Sequence, residues 1–218
     1  MIEFSIIQKL FIWAIPVLFA ITVHEVAHGY VAFKLGDCTA KMLGRLTLNP
    51  AKHVDPLGTI FVPALLFFLG GFIFGWAKPV PINPNSFKSY RRDMILVAIA
   101  GPASNFLMAV LWAIIGNLAL KLAPSMAYPA ALLYQMALAG IMINLVLGIV
   151  NLIPVPPLDG SRVLASLLPN HLAYQYNRIE PFGFIILVVL IATGALSHIL
   201  WPAYQAMLQQ LLQVTGLN

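Results

Sequence analysis

His24-Glu25-x-x-His28 lies inside an apolar run from Phe4 to Phe33, whose only other ionisable side chains are Lys9 and Tyr30. A run of that length is enough to cross a bilayer core as a helix. An ionisable group at membrane depth costs about 3 kcal/mol or more unless a partner offsets it. On a helix, residues i and i+4 share a face, so His24 and His28 can aim two imidazoles at one ion. One explanation covers both the cost and the spacing: a metal site built inside a membrane. Glu25 stands beside it as a candidate general base for a metal-activated water. Chance is the competing explanation. The chain has only seven acidic residues and five histidines, however, and three of these form one correctly spaced set.

Composition points the same way. The chain is 61% apolar and 9% charged, where soluble domains carry about 25% charged residues. A soluble globule of this composition could not cover its surface with polar groups. The expected fold is an all-α membrane protein, a polytopic transmembrane helix bundle. It reads as a single transmembrane domain over 1–218, with a core at about 5–165 and an accessory helix or helices over 182–217. The first apolar run is too long for a cleavable signal and lacks a small-residue cleavage site. The lone Cys38 excludes an internal disulfide and a cysteine zinc cage. The net charge of +5 fits Lys and Arg flanking membrane segments, so no nucleic-acid partner is expected.

Five apolar segments can be read, at about 4–35, 57–77, 93–120, 130–153 and 182–201. Lys41, Arg45, Lys52, Lys78, Lys88, Arg91 and Arg92 all lie between segments one and three. If segment two is re-entrant, these cations share one side with Lys34, Arg162 and Arg178, as the positive-inside rule favours. Pro63, Gly70 and Gly71 permit such a break where protein shields the backbone. The proline-rich stretch Trp76–Pro84 cannot be helical and reads as an extended strand or loop. The tail from Trp201 to Leu217 alternates apolar residues with Gln205, Gln209, Gln210 and Gln213. It reads as an interfacial amphipathic helix, or as segment five continuing past Pro202.

A zinc site of the catalytic kind takes three protein ligands. Glu3, Asp37 and Asp93 sit at segment ends, as solvated acids do, and Glu180 precedes Pro181 at the interface. Asp159 closes Asn151-Leu-Ile-Pro-Val-Pro-Pro-Leu-Asp-Gly160, where three prolines break the fourth segment and free backbone groups that suit a buried cavity. Its alternative role is capping a helix toward Leu168. If Asp159 meets His24 and His28, segments one and four run parallel and an odd number of crossings separates them. A re-entrant segment two meets that condition.

His24-Glu25-x-x-His28-Gly29, Gly101-Pro-Ala-Ser-Asn105 and Asn151–Gly160 resemble, in order and spacing, the site-2 protease family of intramembrane zinc metalloproteases. The resemblance spans about residues 15–165. Gly44–Pro50, His53-x-Asp55-Pro56 and Gly75–Ile82 are similar to the short prokaryotic branch, which lacks PDZ and CBS domains. The resemblance implies one Zn2+ per chain on His24, His28 and Asp159, with Glu25 catalytic. It also implies a transmembrane protein or peptide substrate in the lipid bilayer, often cut first by an upstream protease. A membrane-associated β-hairpin that receives substrate is implied as well, here at Gly75–Pro84. Segment two is longer and more apolar than a simple hairpin. The family setting and the charge pattern place the chain in a prokaryotic cytoplasmic membrane, multi-pass, with its active site toward the cytoplasm.

Asn151 is a candidate for binding the substrate backbone or the developing oxyanion. An interhelical hydrogen bond serves equally well. Asn105 carries the same candidacy, with helix packing favoured because Gly101 lies one turn before it. His53, beside Asp55, is a candidate for an auxiliary metal or gating role, against a simple Asp-Pro turn. The alternative function is a catalytically silent zinc-binding or transport protein on the same scaffold. A pure binding site has no need of Glu25.

Overall fold

The computed structural model describes residues 3–61 and 78–217. Helix α1 is Ile6–Lys34. Ser5 opens it with a reciprocal cap: Gln8 N–H donates to Ser5 Oγ, and Ser5 N–H donates to Gln8 Oε1. A single turn, α2 (Thr39–Met42), follows. Then come the long helices α3 (Tyr90–Leu122) and α4 (Ala127–Asn151). The remainder is α5 (Asp159–Leu167), α6 (Asn170–Asn177), α7 (Gly183–Ala192) and α8 (Ala195–Thr215). Among the described residues, four stretches are long and apolar enough to cross a membrane: Ile6–Lys34, Tyr90–Leu122, Ala127–Asn151 and Asn170–Ala192. The protein is a multi-pass membrane protein whose surroundings are a lipid bilayer.

Helix α3 shows why. Asn105, Ala109, Trp112, Ala113 and Gly116 line its buried side, while Leu107, Leu111, Ile114 and Leu118 are exposed. Polar and small residues face the bundle, and large apolar ones face outward. That is the pattern of a helix surrounded by lipid. Trp112 and Phe106 lie against Gly140 and Gly148 of α4, where a Cβ would come within 2.3 and 2.6 Å of their rings. Two bulky side chains thus set the depth at which α3 and α4 pack.

Helices α1 and α4 run parallel, with α3 antiparallel to both. Near one end of the bundle, Gln8 of α1 hydrogen-bonds Tyr128 of α4. Further along, Asn105 of α3 binds both His24 of α1 and Asn144 of α4. Along α3, Val97 meets His28 and Asn105 meets Ala20, which is the reverse direction. The parallel pair required to bring Asp159 to the two histidines is therefore present.

The end of α1 and the start of α3 lie side by side. Lys78 N–H donates to His53 O at 3.0 Å, and Ala32, Phe87, Met94 and Val97 form one buried cluster. Of the expected re-entrant segment at 57–77, residues 57–61 form part of a π-helical turn, Pro56–Phe61. Residues 62–77 lie outside the described residues. The expected β-hairpin or strand is corrected for the part of Gly75–Pro84 that is described. Among the described residues there is no strand, and 78–83 run without regular hydrogen bonding to a neighbouring chain. Pro79 and Pro81 have no N–H to give a ladder. The amides that remain are taken by other partners, Lys78 by the His53 carbonyl, Val80 by Glu25 and Asn83 by Asp37.

Asp37 is another correction, since it is fully buried rather than solvated. Its carboxylate accepts N–H bonds from Thr39 at 2.9 Å and from Asn83 at 2.6 Å. Burial pushes its pKa up, but Thr39 and the amide of Asn83 outweigh that and hold it below the usual carboxylate range. Asp37 therefore ties residue 83 to the end of α1. The tail follows its second reading, segment five continuing past Pro202. Gly194, at φ 74°, turns the chain between α7 and α8, and α8 runs unbroken through Pro202. Tyr204, Met207, Leu208 and Leu211 pack on Ala109, Trp112, Ala137 and Ile141.

Candidate metal centre

His24 and His28 lie one turn apart on the buried side of α1, with ring centroids 4.6 Å apart and planes at 84°. Their Nε2 atoms are 3.0 Å apart. Asp159 Oδ2 lies 3.1 Å from His24 Nε2 and 3.2 Å from His28 Nε2. All three residues are buried, and among the described residues they form the one such cluster of potential metal ligands. Asp159 does not cap α5. Leu158 occupies the cap position, and Asp159 is the first helical residue. Gly160 makes that placement possible, because a Cβ there would sit 2.3 Å from Leu152 O at the end of α4.

The hydrogen bonds around the rings fix their chemistry. His24 Nδ1 contacts Asn105 Oδ1 at 2.6 Å, and His28 Nδ1 contacts Val97 O at 2.7 Å. Both partners are oxygen acceptors, so each Nδ1 carries the proton and each neutral ring turns an Nε2 lone pair inward. Asp159 Oδ2 is buried with no hydrogen-bond donor. Three lone pairs thus converge within 3.2 Å, an arrangement that needs a cation between them. The edges of a tetrahedron around zinc, with N and O ligands, are about 3.3 Å. The spacing here matches, so the residues present fit a zinc ion.

The Gly101–Asn105 motif places α3 against this cluster. A Cβ on Gly101 would lie 2.3 Å from His28 Nε2 and 2.6 Å from His24 Cε1. Only glycine lets the helix backbone pass the imidazoles. One turn on, Asn105 reaches His24. Pro102 gives no N–H to the carbonyl of Ala98, yet the helix runs on unbroken. Asn105 is fully buried and held by His24, Ala20 and Asn144.

Glu25, the residue after His24, reaches Val80 beside the motif helix. Its Oε2 accepts the Val80 N–H at 2.7 Å. Residues 78–80 are held there by Arg45, whose Nη2 donates to Lys78 O at 2.8 Å. Gly29 allows the close fit, since a Cβ there would lie 2.8 Å from Val80. Val80, Arg45 and Asn144 were not singled out as site residues in the sequence. Only the prolines around Val80 marked its segment as extended.

Asn151 and His53 hydrogen-bond elsewhere than to the cluster. Asn151 Nδ2 donates to Leu147 O of its own helix at 3.0 Å. His53 is buried and its Nε2 meets Thr47 O at 2.9 Å. Asp55 accepts from Leu57 and Gly58 N–H, closing its own turn.

Comparison with known proteins adds a family. The model of peptidase family M50 matches residues 121–193, which include Asn144, Asn151 and Asp159. "Putative zinc metalloprotease YwhC" of Bacillus subtilis is 44% identical over 195 residues, covering 88% of this chain and 85% of that protein. "Putative zinc metalloprotease Rip2" of Mycolicibacterium smegmatis is 30% identical over 182 residues, covering 83% of this chain and 66% of that protein. Rip2 of Mycobacterium tuberculosis (strain H37Rv) is 28% identical over 184 residues. No solved structure matches the chain.

Proposed function

Because the chain belongs to peptidase family M50, the site-2 protease family, and is thus a zinc metalloprotease, we propose that it cuts transmembrane segments of membrane-anchored proteins. His24, His28 and Asp159 hold the zinc, and Glu25 is the general base, in one transmembrane domain over 1–218. One observation carries this reading. Two ligand atoms come from within a membrane-crossing helix, and the third is brought to their depth by the chain break after α4. His24 is ten residues from Lys34, or about 15 Å along the helix. The site therefore opens toward the side bearing Lys34, Lys41, Arg45 and Lys52. By the positive-inside rule this is the cytoplasmic face of the cell membrane.

Zinc, when bound, supplies a Lewis acid and lowers the pKa of water. The chain's own residues do the rest. A transmembrane helix hides its peptide groups in internal hydrogen bonds and must unwind before water can attack. The extended residues 78–83 run past Glu25 and hold its carboxylate in place. Glu25 takes the proton from the attacking water and returns it to the leaving amine. The Val80 N–H holds one carboxylate oxygen of Glu25 and leaves the other free for that proton. Asn151, at the end of α4, is a candidate to bind substrate backbone, and Asn105 supports His24.

Val80→Pro tests the carboxylate anchor. Position 80 lies between Pro79 and Pro81, so a third proline keeps the backbone extended and removes only the N–H. Losing a hydrogen bond to a charged group is expected to lower kcat about 10-fold, with zinc content unchanged. Turnover of a fluorogenic transmembrane peptide and metal analysis read the two quantities. The activity itself is tested by capturing membrane proteins with the Glu25→Gln variant and incubating them with the wild-type protein in nanodiscs. Cleavage inside the apolar segment of a captured protein is expected. Zinc-loaded protein that cuts none of them contradicts the reading and favours a silent zinc-binding protein.

A further inference from the structure

We propose that Asn144, which touches neither zinc nor substrate, is a positioning residue that sets the protonation pattern of His24 through Asn105. The proposal rests on His24, His28 and Asp159 being the zinc ligands. His24 can offer Nε2 to a metal only while Nδ1 keeps its proton. The acceptor that holds this proton is Asn105 Oδ1, at 2.6 Å. A carboxamide has two ends of nearly equal size and opposite polarity. Turned over, Asn105 would aim its NH2 at Nδ1 and favour the tautomer with the proton on Nε2, which cannot bind a metal.

Two acceptors prevent the turn. Asn105 Nδ2 donates to Asn144 Oδ1 at 2.9 Å and to Ala20 O at 3.3 Å. Asn144 gives the shorter contact, and its side chain has no other role in the cluster. Its own orientation is set by Nδ2 donating to Gly140 O at 2.8 Å. Asn105 and Asn144 are both fully buried, so no solvent replaces a lost partner. A turned Asn105 would set its oxygen against two others. The chain His24–Asn105–Asn144–Gly140 therefore carries a fixed donor-to-acceptor sense from α1 through α3 to α4. Outer partners of metal-bound histidines act in this way. An Asn that merely tied α3 to α4 would have no effect on metal affinity.

Zinc affinity of the full-length protein in detergent, measured by chelator competition, separates these roles. Asn144→Leu is expected to weaken zinc binding about 10-fold, at the low end of what lost outer partners cost. Asn144→Asp retains an acceptor for Asn105 and is expected to recover most of that loss. In the Asn105→Ala background, Asn144→Leu is expected to add nothing, because it acts through Asn105. Asn144→Ala suits the small-residue face of α4 and replaces Asn144→Leu if that variant does not fold. Folded Asn144→Leu or Asn144→Ala protein with wild-type zinc affinity overturns the proposal, as do losses that multiply in the double variant. Asp159→Ala with wild-type affinity would instead remove the ligand reading on which it stands.

Discussion

Glu25→Gln is expected to keep its zinc and its fold and to lose cleavage, with kcat down by about 10²- to 10⁴-fold. Nothing in the ligand cluster uses Glu25, so the metal stays. The amide oxygen of Gln can still accept the Val80 N–H that the carboxylate accepts at 2.7 Å, so residues 78–83 stay in place. What disappears is the carboxylate proposed to take a proton from water and pass it on. Turnover of a transmembrane peptide, with zinc content measured on the same sample, checks both halves. Full activity in Glu25→Gln would remove Glu25 from the chemistry.

Gly101→Ala is expected to have an effect of similar size by a different route. The added methyl would stand 2.3 Å from His28 Nε2 and 2.6 Å from His24 Cε1. Neither ring can step aside, since Asn105 and the Val97 carbonyl hold them by Nδ1. Either α3 moves away or the rings leave their positions, at a cost of about 1–3 kcal/mol. In both cases the three ligand atoms no longer share a centre. Zinc content should fall to near zero and activity with it, while the helix content by circular dichroism stays close to that of the wild type. Wild-type zinc binding in Gly101→Ala would mean that α3 does not pass the cluster this closely.

The meeting of His24, His28 and Asp159 was legible in the sequence for physical reasons. Charged side chains inside apolar segments need partners, and the prolines before Asp159 break a helix where it must end. The helix bundle followed from segment length, and the parallel run of α1 and α4 from the need to bring Asp159 to the histidines. Less legible were contacts made by backbone atoms. Val80 joins the site through an N–H that any residue except proline has. The Val97 carbonyl joins it by meeting His28 Nδ1. Asp37 looked like an ordinary end-of-helix acid, and its tie to Asn83 spans 46 residues. The β-hairpin expectation failed over the described residues because the prolines that excluded a helix at 78–84 also withhold the donors of a ladder. Asn105 and Asn144, 39 residues apart, were each readable as packing polar groups. Their order, with His24 at the end, exists only in three dimensions.

The most direct test is the zinc content of the purified full-length protein beside its Asp159→Ala variant, by elemental analysis after dialysis against trace zinc. One zinc per chain is expected in the wild type and a small fraction of that in Asp159→Ala. Wild-type protein that takes up no zinc, or Asp159→Ala protein that holds as much as the wild type, would contradict a metal centre formed by His24, His28 and Asp159.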